Sequence, residues 1–143
     1  MNSMATATRN RSEEIEQARV VRWSHLAAVR QLMPALKYLH HSPNGGKRDA
    51  FTGAQMKALG VKPGFPDLIL PYTKFDHIGV AFCGLVIEMK SATGSLSAEQ
   101  KDWKEHFLDQ CWDFRLARSA QEARTHLCQY LGIAHDSAPA LID

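Results

Sequence analysis

The segment Gly84-Leu85-Val86-Ile87-Glu88-Met89-Lys90 constrains this chain more than any other, because a buried-looking apolar run ends in an acid and a base. Leu85 to Ile87 have the branching and length of an interior strand. In a strand, positions two apart face the same side, so Glu88 and Lys90 project together while Met89 points the other way. A second short apolar run, Leu68-Ile69-Leu70, is entered through Pro66-Asp67 and closed by Pro71. If these two strands pair, Asp67 reaches the surface that carries Glu88 and Lys90. Two carboxylates converging beside an ammonium are costly unless a cation fills the gap between them. Oxygen ligands favour Mg²⁺ or Mn²⁺, with the Met89 backbone carbonyl as a candidate further ligand. Lys90 would then orient or help deprotonate a water and stabilise charge growing on a scissile phosphate.

The rest of the chain supplies helices around those strands. From Ser12 to about Met33, Ile15, Ala18, Arg19, Arg22, Leu26, Val29 and Met33 recur near helical spacing, with Glu13 and Glu14 at the positive dipole end. Pro34 interrupts this helix, and Leu36 to His41 follows as a short apolar-polar stretch before the turn residues Ser42 to Gly46. A shorter helix is expected from Thr52 to Leu59, closed by Gly60, after which Lys62-Pro63-Gly64-Phe65-Pro66 must run extended. Ser97 with Gln100 forms a capping-box pattern that opens a helix through about Gln110, and Ser119 with Glu122 repeats the device up to Gly132. Between them Trp112 to Ala117 alternates as an outer strand does. The order α, β, α, β, β, α, β, α predicts a mixed α/β layer fold.

At 143 residues the chain is the size of one domain. Residues 1–11 are expected to be a disordered lead-in, 12–133 the folded unit, and 134–143 a loosely held tail. With 45% hydrophobic and 22% charged residues and no long uninterrupted apolar stretch, the composition predicts a globular cytoplasmic protein with no membrane partner. Cys83, Cys111 and Cys128 are an odd count without CxxC spacing, so no structural disulfide is expected.

A net charge of +2 does not announce a nucleic-acid ligand, but charge is locally concentrated. Asn44, Gly45 and Gly46 lead into Lys47 and Arg48, with Lys57 and Lys62 beyond. This segment reads either as a flexible turn or as amides and cations placed against DNA phosphate. The histidines lack zinc-ligand spacing with cysteine partners. Trp23, Trp103 and Trp112 are expected to fill the core or a subunit interface.

Taken together, these segments resemble the virus-type replication-repair nucleases (VRR-NUC), a branch of the PD-(D/E)xK superfamily. The resemblance rests on Glu14 and Gln17 in the first helix, Pro43-Asn44-Gly45-Gly46, Gly60 to Asp67, Glu88-Met89-Lys90, and Leu96 to Trp103 with its SxxQ pattern. It implies a restriction-endonuclease-like α/β core, a central mixed sheet flanked by helices, that cleaves DNA with Mg²⁺ or Mn²⁺, a homodimer, and branched DNA such as four-way junctions as the substrate. It also implies a first-helix acid at the metal site, for which Glu14 fits and Glu13 and Glu16 stay open. Gln100 matches a family active-site position as well as its local capping role. One departure stands out: the family pattern places a glycine before the outer strand, where this chain has Asp109-Gln110-Cys111-Trp112. The alternatives are a non-catalytic DNA-binding or scaffolding module with a nuclease fold, and a nuclease acting on flap or duplex DNA.

Overall fold

The computed structural model describes residues 2–43 and 50–142, with side chains described over 11–43 and 53–142. The elements run α1 (Asn2–Ser24), α2 (Ala27–Leu32), a 3-10 turn (Pro34–Tyr38), β1 (His40–His41), α3 (Ala50–Ala58), β2 (Leu68–Leu70), β3 (Lys74–Asp76), β4 (Gly79–Phe82), β5 (Leu85–Met89), α4 (Ala98–Asp109), β6 (Asp113–Ala117), α5 (Ala120–Tyr130) and a closing 3-10 turn (His135–Ser137). The main sheet has the order β1-β2-β5-β6, and β3 and β4 form a separate hairpin. β5 lies between an antiparallel neighbour, β2, and a parallel one, β6, so the sheet is mixed as expected. The β5-α4-β6 segment is the helical crossover that a parallel pair requires.

β5 is buried on both faces, and its alternation sorts two layers. Leu85, Ile87 and Met89 join Leu68, Leu70, Val20, Trp23, Leu36, Leu127 and Cys128 in one core on the side of α1 and α5. Val86 and Glu88 point to the other face, toward α4. There Phe65, Trp103, Phe107 and Trp112 make an edge-on aromatic group, with Phe65 and Trp103 centroids 4.9 Å apart. Among the described residues no helix is long and apolar enough to cross a membrane.

Four expectations need correction. The first helix begins at Asn2 and breaks at His25-Leu26, so residues 2–11 are helical backbone where a disordered lead-in was expected; they contain no Gly or Pro to stop a helix. Its buried face is also different: Val20 and Trp23 are fully buried while Ile15 is 53% exposed, so the inward stripe runs through 13, 16, 20 and 23. Leu36 to Tyr38 end a 3-10 turn that starts at Pro34, and within Leu36 to His41 only His40–His41 pair with β2. The tail is not loosely held. Trp23 Nε1 donates to the Pro139 carbonyl at 2.7 Å, and the buried Arg124 guanidinium donates to the carbonyls of His135, Ala138 and Pro139. Burying Arg124 this way is tolerable because carbonyl acceptors replace the water it loses.

The departure before β6 also has a structural answer. Cys111 adopts φ 66°, and among the described residues it is the one non-glycine at positive φ. Its amide returns to the Leu108 carbonyl, and the Trp112 amide returns to Phe107, which closes α4 in a Schellman motif. The Phe107 and Trp112 rings, 5.4 Å apart, supply the apolar contact that accompanies such a motif. Cysteine thus occupies a position glycine would take without steric cost. Cys111→Gly is expected to stabilise the fold by about 1 kcal/mol, read as a rise of about 3 °C in thermal melting. An unchanged or lower melting temperature would refute the strained-cap account.

Candidate active site

The β2–β5 register pairs Leu68 with Ile87, and continuing it by one residue sets Asp67 opposite Glu88. Directly opposed residues share a face, so the two carboxyls meet at the end of the ladder. Asp67 Oδ2 accepts a hydrogen bond from the Met89 amide at 2.8 Å. The Asp67 carbonyl in turn accepts from the Ser42 amide at 3.4 Å and contacts His41 Nδ1 at 2.7 Å. Asp67 is thereby tied to β1 on one side and β5 on the other.

Asp67 is delivered by the segment before it, which lies on α4. Gly64 has φ +85°, and a Cβ there would come within 2.6 Å of the Glu99 backbone in the first turn of α4. Only glycine permits both the dihedral and that approach. Trp103 Nε1 donates to the Pro63 carbonyl at 3.0 Å, and Phe65 packs edge-on against the same ring.

Gln100 makes both the capping contacts and a contact with the strand acid. Its Oε1 accepts from the Ser97 amide at 2.8 Å, while the Ser97 hydroxyl accepts from the Gln100 amide, which completes the capping box. Its Nε2, free of that duty, donates to Glu88 Oε1 at 2.9 Å. One side chain therefore opens α4 and orients the strand acid.

Glu88 is only 4% exposed, and its second oxygen, Oε2, is buried without a hydrogen-bond partner. Two carboxylate oxygens cannot bond each other unless a proton or a cation stands between them. Burial first, then the Asp67 charge, pushes the Glu88 carboxyl up to about 9. Lys90 and Glu13 also act on it, in opposite directions. Asp67 is raised as well, by burial above all, with the Met89 amide, Glu88, His41 and Lys90 opposing. Lys90 is half-buried at the strand end, and its amide donates to the Ala117 carbonyl at 2.9 Å.

Of the three first-helix acids, Glu13 faces the site: its Oε1 accepts from the Ser91 amide at 2.9 Å, and its charge bears on Glu88. Glu14 is exposed, and Glu16 is occupied with Arg19 and the Ala120 amide at the start of α5. The inward stripe explains this, since Glu13 lies two turns before the buried Val20 and Glu14 does not. Among the described residues no set of three Asp, Glu, His or Cys side chains is grouped as for a metal ion, so Asp67 and Glu88 stand as a pair. Asn44, Gly45, Gly46, Lys47 and Arg48 lie outside the described residues, whereas Lys57 and Lys62 are exposed on and beside α3. In the sequence Glu13 is only an alternative to Glu14, and His41 goes unnoticed. Two-turn spacing from Val20 is the signal for the first, and the second has none, because its place follows from β1–β2 pairing.

The VRR-NUC domain family model matches residues 4–121. A solved structure described as a VRR-NUC domain protein is similar to this chain, with 26% identity over 86% of this chain and 90% of the other and a TM-score of 0.66. No curated protein matches.

The carboxyl pair has a consequence for stability. Glu88 ionises near 4.5 in an unfolded chain and at about 9 in the fold, so between those values the folded protein holds a proton that the unfolded chain has released. Stability of the metal-free protein should therefore fall as pH rises through that window and level off above it, and the raised Asp67 adds to the same slope. Glu88→Gln keeps an acceptor for Gln100 but carries no charge. Denaturant unfolding in chelator is expected to show it roughly 2 kcal/mol more stable than the parent at pH 8, with a flatter pH profile. Equal profiles for the two proteins would refute the elevated pKa of Glu88.

Proposed function

The chain belongs to the VRR-NUC family, a family of nuclease-type, DNA-processing domains, and from that premise we propose that it is a metal-dependent DNA endonuclease whose centre is Asp67, Glu88 and Lys90. The observation that carries this reading is the buried Glu88 oxygen left without a partner beside Asp67. A buried acceptor pair of this kind suits a hard divalent cation, and Mg²⁺ or Mn²⁺ is commonly held by one or two carboxylates with waters and substrate oxygens. Asp67 and Glu88 would hold it, with the Met89 carbonyl as a further oxygen. When bound, such an ion polarises a phosphate oxygen and lowers the pKa of an attacking water.

The chain's own residues supply the rest. Because the Glu88 carboxyl is raised, it would have to give up its proton to hold a cation, so ion binding would release protons and strengthen with pH. Gln100 acts through Glu88: its Nε2 fixes one carboxylate oxygen and leaves the other turned toward Asp67. Lys90 sets a positive charge on the same strand face, where it opposes the charge that develops on a scissile phosphate. Glu13, in place of the Glu14 expected from the sequence, holds the Ser91 amide immediately after Lys90. Lys57 and Lys62, with Lys47 and Arg48, are proposed to meet the DNA backbone.

Branched DNA is the proposed substrate and a homodimer the proposed assembly, because two identical sites at a fixed separation can cut paired strands symmetrically. The cytoplasm of a bacterial or phage-infected cell is the proposed compartment. Purified protein with Mg²⁺ or Mn²⁺ should cut four-way junctions in preference to flap or linear duplex DNA. Equal cutting of all three would remove the junction preference, and no cutting of any would leave a DNA-binding module. Lys90→Ala should lower the cleavage rate by roughly 10²- to 10³-fold while melting temperature and junction binding stay at parent values. Retained cleavage in that variant would displace Lys90 from the mechanism.

A further inference from the structure

Cys83 and Cys111 lie far apart in sequence, but the sheet brings them together. The β5–β6 register pairs Leu85 with Asp113, and Cys83 and Cys111 each stand two residues before that pair. The Cys83 amide donates to the Cys111 carbonyl at 2.7 Å, so the two backbones meet directly just before both strands begin. The Cys111 thiol reaches the Ala81 carbonyl at 3.6 Å, over the strand that leads into Cys83. Both residues are exposed, whereas Cys128 is buried in the core. The two side chains interact directly: partial desolvation and then the neighbouring Cys111 raise the Cys83 thiol.

We propose that Cys83 and Cys111 form an oxidisable dithiol, a modification site at which a peroxide converts the pair to an intramolecular disulfide. Backbones joined by an amide–carbonyl bond run about 5 Å apart, within the span a disulfide bridges. One thiolate attacks a peroxide oxygen, breaking the O–O bond, and becomes a sulfenic acid as hydroxide leaves and takes up a proton to form water. The second thiol attacks that sulfur, the S–S bond forms, and a second water departs. Two sulfurs lose two electrons and one hydrogen peroxide becomes two waters. Because the Cys83 thiol is raised, the reaction should quicken as pH rises above neutrality.

The bridge would fasten the start of β5 to the start of β6 and close a cycle containing Glu88, Lys90, Gln100 and all of α4. In the reduced protein those ends are joined there by the backbone bonds Cys83–Cys111 and Gly84–Asp113. Oxidation would therefore stabilise the crossover unit that carries most of the candidate site, whatever reaction that site performs.

The test is to treat the full chain with hydrogen peroxide, block remaining thiols under denaturing conditions, and map peptides by mass spectrometry beside non-reducing electrophoresis. The expected result is a monomeric product with a Cys83–Cys111 linked peptide, an unmodified Cys128, and a melting temperature about 5–10 °C higher, reversed by dithiothreitol. Cys83→Ser and Cys111→Ser should each abolish the shift. Disulfide-linked dimers, sulfinic acid on separate cysteines, or a shift that survives in either variant would overturn the proposal.

Discussion

The hydrogen bond from the Met89 amide to Asp67 Oδ2 is the interaction on which the site depends. β2 is entered through Pro66, which has no amide to offer the β2–β5 ladder, and at the ladder's end the Asp67 side chain accepts the Met89 amide. That bond carries a carboxylate to the strand end next to a second, buried one. The unfavourable part, two acids sharing a site with little water, follows directly from a favourable part that satisfies the backbone. Gln100 and Lys90 make the pair tolerable from the α4 side and the strand end, and His41 does so from β1.

The geometry is kept by contacts that do no chemistry. Pro63 to Asp67 is held on α4 by the Gly64 approach, the Trp103 indole and the Phe65 ring. The same helix opens with the capping box that positions Gln100 and closes on the strained Cys111 turn into β6. β6 then returns to the Lys90 amide through the Ala117 carbonyl. Beyond it, Arg118 donates to the carbonyls of Ser91 and Gly94 at 2.8 and 2.7 Å, while Glu13 takes the Ser91 amide. The turn after Lys90 is thus held from α1 and from the end of β6 together.

How much of this was legible in the chain depends on how local each cause is. The shared face of Glu88 and Lys90 follows from the period of a strand, and the starts of α4 and α5 follow from side chains three residues apart, so these were readable. The pairing of β2 with β5 needed one assumption, and it placed Asp67 correctly. The face of α1 was not readable in the same way, because its stripe mixes acids with Val20 and Trp23 and the apolar residues Ile15 and Leu26 suggest a different one. That ambiguity is why Glu14 was expected where Glu13 stands. The tail was misread because what holds it is a buried Arg124 meeting backbone carbonyls, and no residue type in 134–143 signals such acceptors. Cys111 defied the glycine expectation because a Schellman turn depends on backbone hydrogen bonds and an apolar contact, which Phe107 and Trp112 provide without glycine's help.

β5 shows why core and site can be built from five consecutive residues without compromising each other. Its Leu85, Ile87 and Met89 complete the core under α1 and α5, and Glu88 occupies the opposite face with Lys90 following two residues on. A one-residue slip of register would turn Glu88 into the apolar core and Leu85, Ile87 and Met89 toward α4, leaving a buried charge without its partners. Met89 sharpens this choice, since its side chain is sealed in the core while its amide is held by Asp67. The core therefore fixes the register, the register fixes which face receives the acids, and the acids inherit a geometry they do not have to stabilise themselves.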